Sequence, residues 1–264
     1  MSPVGHAGGV LPLISAHGAG LGLDPGGDPL AALDRVAGLG ADYVELDVRR
    51  CRDDTLVLAH DRDLAVPGAR RRSAELTLAE VEAAGHALVS YDTALTGLAG
   101  RTAAHLDLKL RSAGALHELA AVERAVEVLG ARSVLVTTGN TRAIGAVRAW
   151  ARERHPALRV ALSVGGSVTG RPPAAQLRAY RDQLFPARRL EEADADAVAA
   201  QHWLALLTVG RLARRRGLPL AVWTVDHPLL LRHWLRPGRA WLVVTNRPDL
   251  ALRLRAAPLD GVRR

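Results

Sequence analysis

The sequence has very little of several residue types on which whole classes of protein depend. Cys51 is the one cysteine among 264 residues, so an internal disulfide and a cysteine-rich zinc site are both excluded. Aromatic residues make up 3% of the chain, too few to serve as stacking platforms for single-stranded nucleic acid. The N-terminal residues lack a signal-peptide pattern, and no run of about 18 apolar residues indicates a transmembrane helix. We therefore expect a cytoplasmic protein with no transmembrane segment.

Almost every basic residue is arginine. Lysine and arginine together number 35, and Lys109 is the only lysine in the chain. The formal charge of +8 would suit an acidic partner, but the arginines are spread along predicted helices, so no nucleic-acid partner is expected. A retained lysine in so arginine-rich a chain indicates a position that needs a compact point charge, unless it survives by chance.

Short apolar runs alternate with segments of helical periodicity, such as 113–129 and 141–154, along the whole chain. Strands separated by helices pair in parallel through right-handed crossovers, and about eight such units fit a (β/α)₈ barrel. We therefore predict a single α/β domain over residues 1–264, a (β/α)₈ TIM barrel whose core spans about 11–255. The eight predicted strands are 11–16, 43–50, 104–110, 133–138, 159–164, 195–201, 219–224 and 240–245.

The segment 51–102 is longer than a usual strand-to-helix connection. It is predicted as an insertion after the second strand, with a short apolar run, an arginine-rich loop and weak helices. A doubly wound sheet is the alternative fold. The stretch "HGAGLG" does not fit G-x-G-x-x-G, however, and the acids of the second strand lie within that strand rather than at its end.

Two neighbouring strands place ionisable residues on one face. In "YVELDVRR", Glu45 and Asp47 share the face opposite the apolar residues, and in "AHLDLKL" Asp107 and Lys109 do the same. Carboxylates on the inner face of a barrel repel each other unless a cation lies between them, and oxygen ligands suit a divalent metal such as Mg²⁺ or Ca²⁺. An exposed edge strand with solvated acids is the alternative, although the other face is too apolar to favour it. A metal beside a lysine would suit a phosphate diester.

Two histidines follow strands at the rim where barrel active sites are built. His17 ends the first strand, and His60 follows the apolar run of the insertion. Their near-neutral pKa range suits a base and an acid for phosphodiester cleavage. Trp223 ends the seventh strand, where covering a substrate and filling the core are equally good interpretations. The stretch "TNRPD" is expected to form the last turn before a helix.

The pattern resembles the glycerophosphodiester phosphodiesterase family over nearly the whole chain. The resemblance rests on "SAHGAG", "GADYVELDVRRCRDDTLVLAHDRDL", "AHLDLKL" and the segment from "GLPLAVWTVD" to "TNRPDLAL". It implies a (β/α)₈ barrel and a metal-dependent hydrolysis of glycerophosphodiesters, or of a related lipid-derived diester, to glycerol 3-phosphate and an alcohol.

The same resemblance implies roles for individual residues. Glu45, Asp47 and Asp107 would be metal ligands, Lys109 would contact the phosphate, and His17 and His60 would be the general base and acid. Trp223 and Gly18 are the predicted substrate contacts, because a glycine lets the backbone pass close to a phosphate.

Three positions depart from the family pattern. Gly18 stands where the family has an arginine, Gly27 stands in place of a glutamate, and Asp107 replaces a glutamate. Venom-type phospholipases D also resemble the chain in having Asp before Lys. A phospholipase D-like lipid phosphodiesterase, or a weakly active barrel that binds a phosphorylated ligand, is therefore an alternative. A serine hydrolase with "HGAG" as its oxyanion loop is disfavoured because no G-x-S-x-G elbow occurs. The sequence leaves the oligomeric state open.

Overall fold

A computed structural model describes residues 10–18, 28–110, 112–170 and 172–257. Its strands are β1 (Leu13–Ala16), β2 (Tyr43–Arg50), β3 (Leu56–Leu58), β4 (Asp63–Val66), β5 (Ala69–Arg72), β6 (Ala103–Leu108), β7 (Val134–Thr138), β8 (Arg159–Val164), β9 (Ala197–Gln201), β10 (Leu220–Trp223) and β11 (Leu242–Thr245). Its α-helices are α1 (Pro29–Ala37), α2 (Leu78–Ala83), α3 (Tyr91–Leu98), α4 (Leu116–Leu129), α5 (Thr141–Arg154), α6 (Pro173–Leu184), α7 (Ala187–Ala193), α8 (His202–Leu204), α9 (Gly210–Arg216), α10 (Pro228–Trp234) and α11 (Pro248–Ala256). A π-helical segment, Ala205–Val209, joins α8 to α9.

Eight parallel strands close into a barrel. Around the barrel they follow the order β1, β2, β6, β7, β8, β9, β10 and β11, and β11 pairs with β1 to close the ring. Helices follow each of these strands in the chain, as right-handed crossovers require. The predicted (β/α)₈ barrel is confirmed, and all eight predicted strands are present with ends shifted by two residues at most.

The two faces of each strand belong to different parts of the core. On β2, Val44, Leu46 and Val48 are fully buried between the barrel and the helices, whereas Tyr43 packs inside the barrel. Several inner positions on β8, β9 and β10 are alanine: Ala161, Ala197, Ala199 and Ala221. Because alanine fills little volume, the barrel centre stays open towards the carboxyl ends of its strands, where a large cavity lies.

The insertion after β2 folds differently from its prediction. β3 pairs antiparallel with the end of β2, and β4 forms a hairpin with β5, so the predicted arginine-rich loop is wrong: these arginines lie on a strand. Pro67 and Gly68 make the hairpin turn, and Gly68 has a φ of 76°, which a glycine adopts without strain. A small separate core holds the insertion together, formed by Cys51, Val57, Leu64, Leu76 and Val81.

Local capping signals define the starts of several outer helices. The side chain of Asn140 accepts a hydrogen bond from Ala143 N at 3.3 Å to begin α5, and Thr77 with Glu80 forms a capping box at α2. The longest described helices, α4 and α5, have 14 residues each. Within the described ranges, no helix is long and apolar enough to cross a membrane.

Candidate active site

Three acidic residues and the lone lysine converge at the carboxyl ends of β2 and β6. Asp47 lies directly opposite Asp107 in the parallel register of these strands, and Glu45 lies one inward-facing position earlier on β2. Glu45 and Asp47 are 2% and 4% exposed, so both carboxylates are removed from bulk water. One ligand oxygen from each of Glu45, Asp47 and Asp107 lies within 4.8 Å of the others.

Lys109 lies between two of these acids. β6 ends at Leu108, two residues earlier than predicted, but the amide of Lys109 still donates to Val48 O at 3.0 Å. Its Nζ lies 2.6 Å from Oδ2 of Asp107 and 3.0 Å from Oδ1 of Asp47. The side chain therefore points back into the acidic cluster, where its charge offsets part of the negative charge.

Burial and mutual repulsion control the ionisation of the cluster. Burial, followed by the charges of Asp47 and Asp107, raises the pKa of Glu45 well above its ordinary value. Burial also raises the pKa of Asp107, although Lys109 opposes that effect. Burial alone would lower the pKa of Lys109, but Asp107 and Asp47 together raise it. The lysine is therefore a permanent cation, whereas a further positive charge near Glu45 would counteract the rise in its pKa.

The donor set fits a divalent cation. Neither carboxylate oxygen of buried Asp47 accepts a hydrogen bond from a described residue, because the approach of Lys109 has the geometry of an ion pair alone. A buried carboxylate without hydrogen bonds is costly unless a cation balances it. Three carboxylates facing one lysine leave net negative charge, and hard oxygen ligands are those that Mg²⁺ and Ca²⁺ prefer. Glu45, Asp47 and Asp107 are thus the residues that would hold such an ion.

The two predicted histidines meet beside Asp47. The ring centroids of His17 and His60 are 5.8 Å apart in an edge-to-face arrangement. With Asp47 they form a second group whose ligand atoms lie within 4.8 Å of one another. His60 is exposed, and its Nδ1 lies 3.0 Å from Oδ1 of Asp61. Both imidazoles therefore lie on the solvent side of the acidic cluster.

Asn246 and Asp226 hold the ring of His17. Nδ1 of His17 lies 2.8 Å from Oδ1 of Asn246, whose Nδ2 donates to Oδ2 of Asp226 at 2.7 Å. Because the amide nitrogen is engaged with Asp226, the amide oxygen accepts, and Nδ1 of His17 is the donor. This assigns the free nitrogen of His17 to Nε2. The sequence analysis missed this role and treated "TNRPD" as a turn; the polar residues that follow β10 and β11 were the available signal.

Gly18 contacts a proposed metal ligand. Its N–H donates to Oε2 of Glu45 at 2.6 Å, and its φ of 61° lies in the left-handed region that favours glycine. A Cβ at Gly18 would meet no atom of the described residues within 4 Å, so these residues leave space at the position where the family has an arginine. The family's glutamate corresponds to Gly27, which lies outside the described residues.

A cavity of about 1100 Å³ opens over the acidic cluster. His17, Glu45, Asp107 and Lys109 line one end of it, and Trp223 lies on the wall. The indole Nε1 of half-buried Trp223 has no hydrogen-bond partner among the described residues. Trp223 therefore forms part of the cavity wall, whereas its Nε1 is buried.

Gly165 allows Trp223 to lie where it does, which sequence reasoning did not anticipate. A Cβ at Gly165 would stand 3.0 Å from the indole and 2.8 Å from Gln201 Cγ, and its φ of 130° is one that other residues rarely adopt.

His105 faces the barrel centre but is a structural residue. Its ring nitrogens lie 3.1 Å from Ser15 Oγ and 3.0 Å from Thr137 Oγ1. Burial, reinforced by the charge of His17, lowers the pKa of His105 to about 3. The imidazole is therefore neutral near pH 7 and bridges two strands beneath the acidic cluster.

We expect a divalent cation to raise the melting temperature more at about pH 8 than at about pH 5. The pKa of Glu45 is raised above 4.5 in the folded protein, so the stability it contributes is complete below that pH and is lost as pH rises through the raised pKa. A bound cation removes this loss. Melting curves with and without Mg²⁺ or Ca²⁺ across this range measure the effect.

Glu45→Gln provides the comparison, because it removes one of the two carboxyl groups whose pKa is raised and should reduce the pH dependence of the cation's effect, with Asp107 accounting for the remainder. His105 acts in the opposite sense, since its stabilisation is lost as pH falls from 6.5 towards 3. The contribution of His105 is the same with and without cation, so it cancels when the melting temperature without cation is subtracted from the melting temperature with cation. A cation-induced shift that is independent of pH in the wild-type protein contradicts the expectation.

Comparisons with known proteins agree with this geometry. The sequence matches the glycerophosphoryl diester phosphodiesterase family over residues 28–250. A glycerophosphodiester phosphodiesterase from Parabacteroides distasonis has a TM-score of 0.69 and 18% identity, with 94% of this chain and 98% of that chain covered. One from Thermotoga maritima has a TM-score of 0.66 and 17% identity, covering 94% and 100%.

A third solved structure is a phosphodiesterase from Oleispira antarctica in complex with the product sn-glycerol-3-phosphate. It has a TM-score of 0.68 and 18% identity and covers 94% of this chain and 98% of that one. No curated protein matches the sequence. At these identities the solved structures establish the fold alone, whereas the family match extends over most of the chain. The chain therefore belongs to the glycerophosphoryl diester phosphodiesterase family and is a phosphoric diester hydrolase.

Proposed function

We propose that the protein is a metal-dependent hydrolase that converts glycerophosphodiesters into glycerol 3-phosphate and an alcohol. The observation that carries the proposal is the convergence of three carboxylates on Lys109, with two histidines on the open side of the cluster. The product complex of the Oleispira antarctica phosphodiesterase supports the same product class for this chain.

Glu45, Asp47 and Asp107 would hold the divalent metal. When bound, such a metal would supply positive charge beside the diester and stabilise the negative charge on its nonbridging oxygens in the transition state. Lys109 lies 2.6 Å from Asp107 and lines the cavity, so its ammonium group can contact a second nonbridging oxygen. Because its pKa is raised, Lys109 acts as a fixed charge and transfers no proton.

His17 is proposed as the general base. Its Nδ1–H is directed to Asn246, so Nε2 carries the lone pair that takes a proton from water or from a neighbouring substrate hydroxyl. Asp226 fixes the amide of Asn246 and thereby keeps His17 in this tautomer. The base is thus oriented before substrate binds.

His60 is proposed as the general acid that protonates the departing alcohol. It is exposed on the insertion and lies across from His17, so the two imidazoles can act on opposite sides of one phosphorus. Asp61 accepts from Nδ1 of His60, so Nε2 is the ring nitrogen left to face the departing oxygen. Trp223 on the cavity wall and the backbone of Gly18, next to His17, are the remaining proposed substrate contacts.

An assay for release of glycerol 3-phosphate from glycerophosphocholine tests the proposal. The protein is assayed after chelator treatment and again with Mg²⁺, Ca²⁺ or Mn²⁺, with sphingomyelin and lysophosphatidylcholine in parallel. We expect metal-dependent release of glycerol 3-phosphate. Turnover of the two lipids alone would favour the phospholipase D-like alternative, and no turnover of any diester with any metal would overturn the proposal.

A further inference from the structure

A second, smaller cavity of about 330 Å³ lies beside the proposed active site. Its charged lining consists entirely of cations: Arg49, Arg50, Arg62, Arg72 and Lys109. No carboxylate is among the described residues that line it. A cavity with this lining selects an anion.

The small cavity adjoins the site of the proposed reaction. Lys109 and Leu110 line both cavities, so the lysine forms the wall between them. The same lysine contacts Asp47 and Asp107 at 3.0 and 2.6 Å. A group bound in the small cavity therefore lies next to a phosphate held at the acidic cluster.

The chain holds one of these arginines rigidly. Arg49 follows Asp47 on the same face of β2, and its Nε and Nη2 donate to the carbonyl oxygens of Ala59 and His60 at 2.9 and 2.8 Å. These bonds fix the guanidinium plane and leave Nη1 without a partner among the described residues. They also tie Arg49 to the segment that carries His60.

The arginine charges are only partly balanced. Arg50 pairs with Asp54, and Arg72 lies 3.7 Å from Glu75 in a half-exposed contact. Arg49 and Arg62 pair with no carboxylate in the described part of the chain. Like charges that share one cavity repel each other, and a bound anion would relieve that repulsion. Asp47, Asp107 and Asp61 act on Arg49 at longer range, so the described carboxylates offset the charge of the lining only in part.

We propose that this cavity binds a second anionic group, carried on the alcohol portion of the diester. The enzyme would then prefer diesters whose leaving alcohol bears a phosphate monoester or a carboxylate over those with a neutral or cationic alcohol. The inference rests on the proposed hydrolase function and adds a substrate class to it. Guanidinium groups suit this role because they bind phosphate and carboxylate oxygens through two parallel hydrogen bonds.

A matched pair of substrates tests the inference. Glycerophosphoinositol 4-phosphate and glycerophosphoinositol differ by one phosphate monoester on the alcohol. We expect wild-type kcat/KM to favour the phosphorylated diester by at least about tenfold, the scale of a charge-assisted bidentate contact. Arg62→Gln with Arg72→Gln should reduce this ratio towards unity.

The matched control is Arg70→Gln with Arg71→Gln. It removes the same charge from the same hairpin but alters no residue that lines the cavity, so the substrate ratio should persist. Melting curves verify that both double variants fold. Titration calorimetry with inositol 4-phosphate gives a readout that needs no turnover, and its affinity should fall in the cavity variant alone.

The outcomes separate this inference from the proposed function. Turnover of both diesters without preference, or an equal loss of preference in both double variants, overturns the anion site and leaves the hydrolase intact. No turnover of either diester counts against the proposed function instead. Loss of binding to phosphatidylglycerol vesicles in the cavity variant, with an unchanged substrate ratio, assigns the arginines to a membrane surface and overturns the inference.

Discussion

Asp47→Asn should lower kcat for glycerophosphodiester hydrolysis by at least about 10³-fold, because it removes the carboxylate shared by both candidate metal groups. The amide keeps the shape of the side chain, so the loss reflects charge rather than packing. The substitution relieves repulsion with Glu45 and Asp107 but also removes the ion pair between Asp47 and Lys109, so the metal-free variant should melt close to the metal-free wild type. Steady-state kinetics and melting curves with and without cation measure the two effects.

The control for Asp47→Asn is Asp249→Asn. Asp249 pairs with Arg253 on the outer helix α11, so its replacement removes one carboxylate without touching the site. We expect wild-type activity and the full cation-induced melting shift in this control. An Asp47→Asn protein that stays within about tenfold of wild-type kcat excludes Asp47 as an essential ligand, because metal-ligand charge contributes far more than that to the transition state.

The leaving group distinguishes the roles of the two histidines. Each of His17→Gln and His60→Gln should lower kcat by about 10²- to 10⁴-fold on glycerophosphocholine, the usual scale of general acid–base catalysis. With glycerol-3-phosphoryl p-nitrophenol the leaving group departs without a proton, so the His60 variant should recover most of its activity. The His17 variant should remain slow, because its defect precedes departure.

His155→Gln is the matched control for these variants, since His155 caps the end of α5 and contacts Trp150 away from the cavity. Its kinetics should equal those of the wild type on both substrates. Recovery of the His17 variant in place of the His60 variant would reverse the two roles. Equal recovery of both would show that neither histidine has a distinct acid or base function.

The fold could be predicted from hydrophobic periodicity because one face of each barrel strand packs against helices and the other faces the barrel centre. The period-two alternation of "YVELDVRR" and "AHLDLKL" placed the apolar residues outward and the acids inward, and the register of β2 with β6 agrees with that placement. The β4–β5 hairpin was not predicted because its strands are short and contain few apolar residues. The Pro67–Gly68 dipeptide was the signal that could have predicted it.

Long-range contacts of the site had no local signal. His17 and Asn246 are 229 residues apart in the sequence and meet because β1 and β11 are the strands that close the barrel. The four arginines of the smaller cavity likewise come from β2 and from both sides of the hairpin, so their shared cavity depends on how the insertion folds against Lys109. In the sequence these arginines belong to a general excess of arginine, which predicts no shared cavity.

By itself the sequence determined the strand count, the inward faces of the second and third barrel strands, and the chemistry of the acids, the lysine and the two histidines. These properties depend on the periodicity of neighbouring residues and on side-chain type, and both can be read from a local segment of the sequence. Only the tertiary structure decided that Asn246 orients His17, that Gly165 admits Trp223 and that arginines surround a cavity without a carboxylate. Those arrangements arise when the barrel closes, because closure alone sets the distances between residues far apart in the chain.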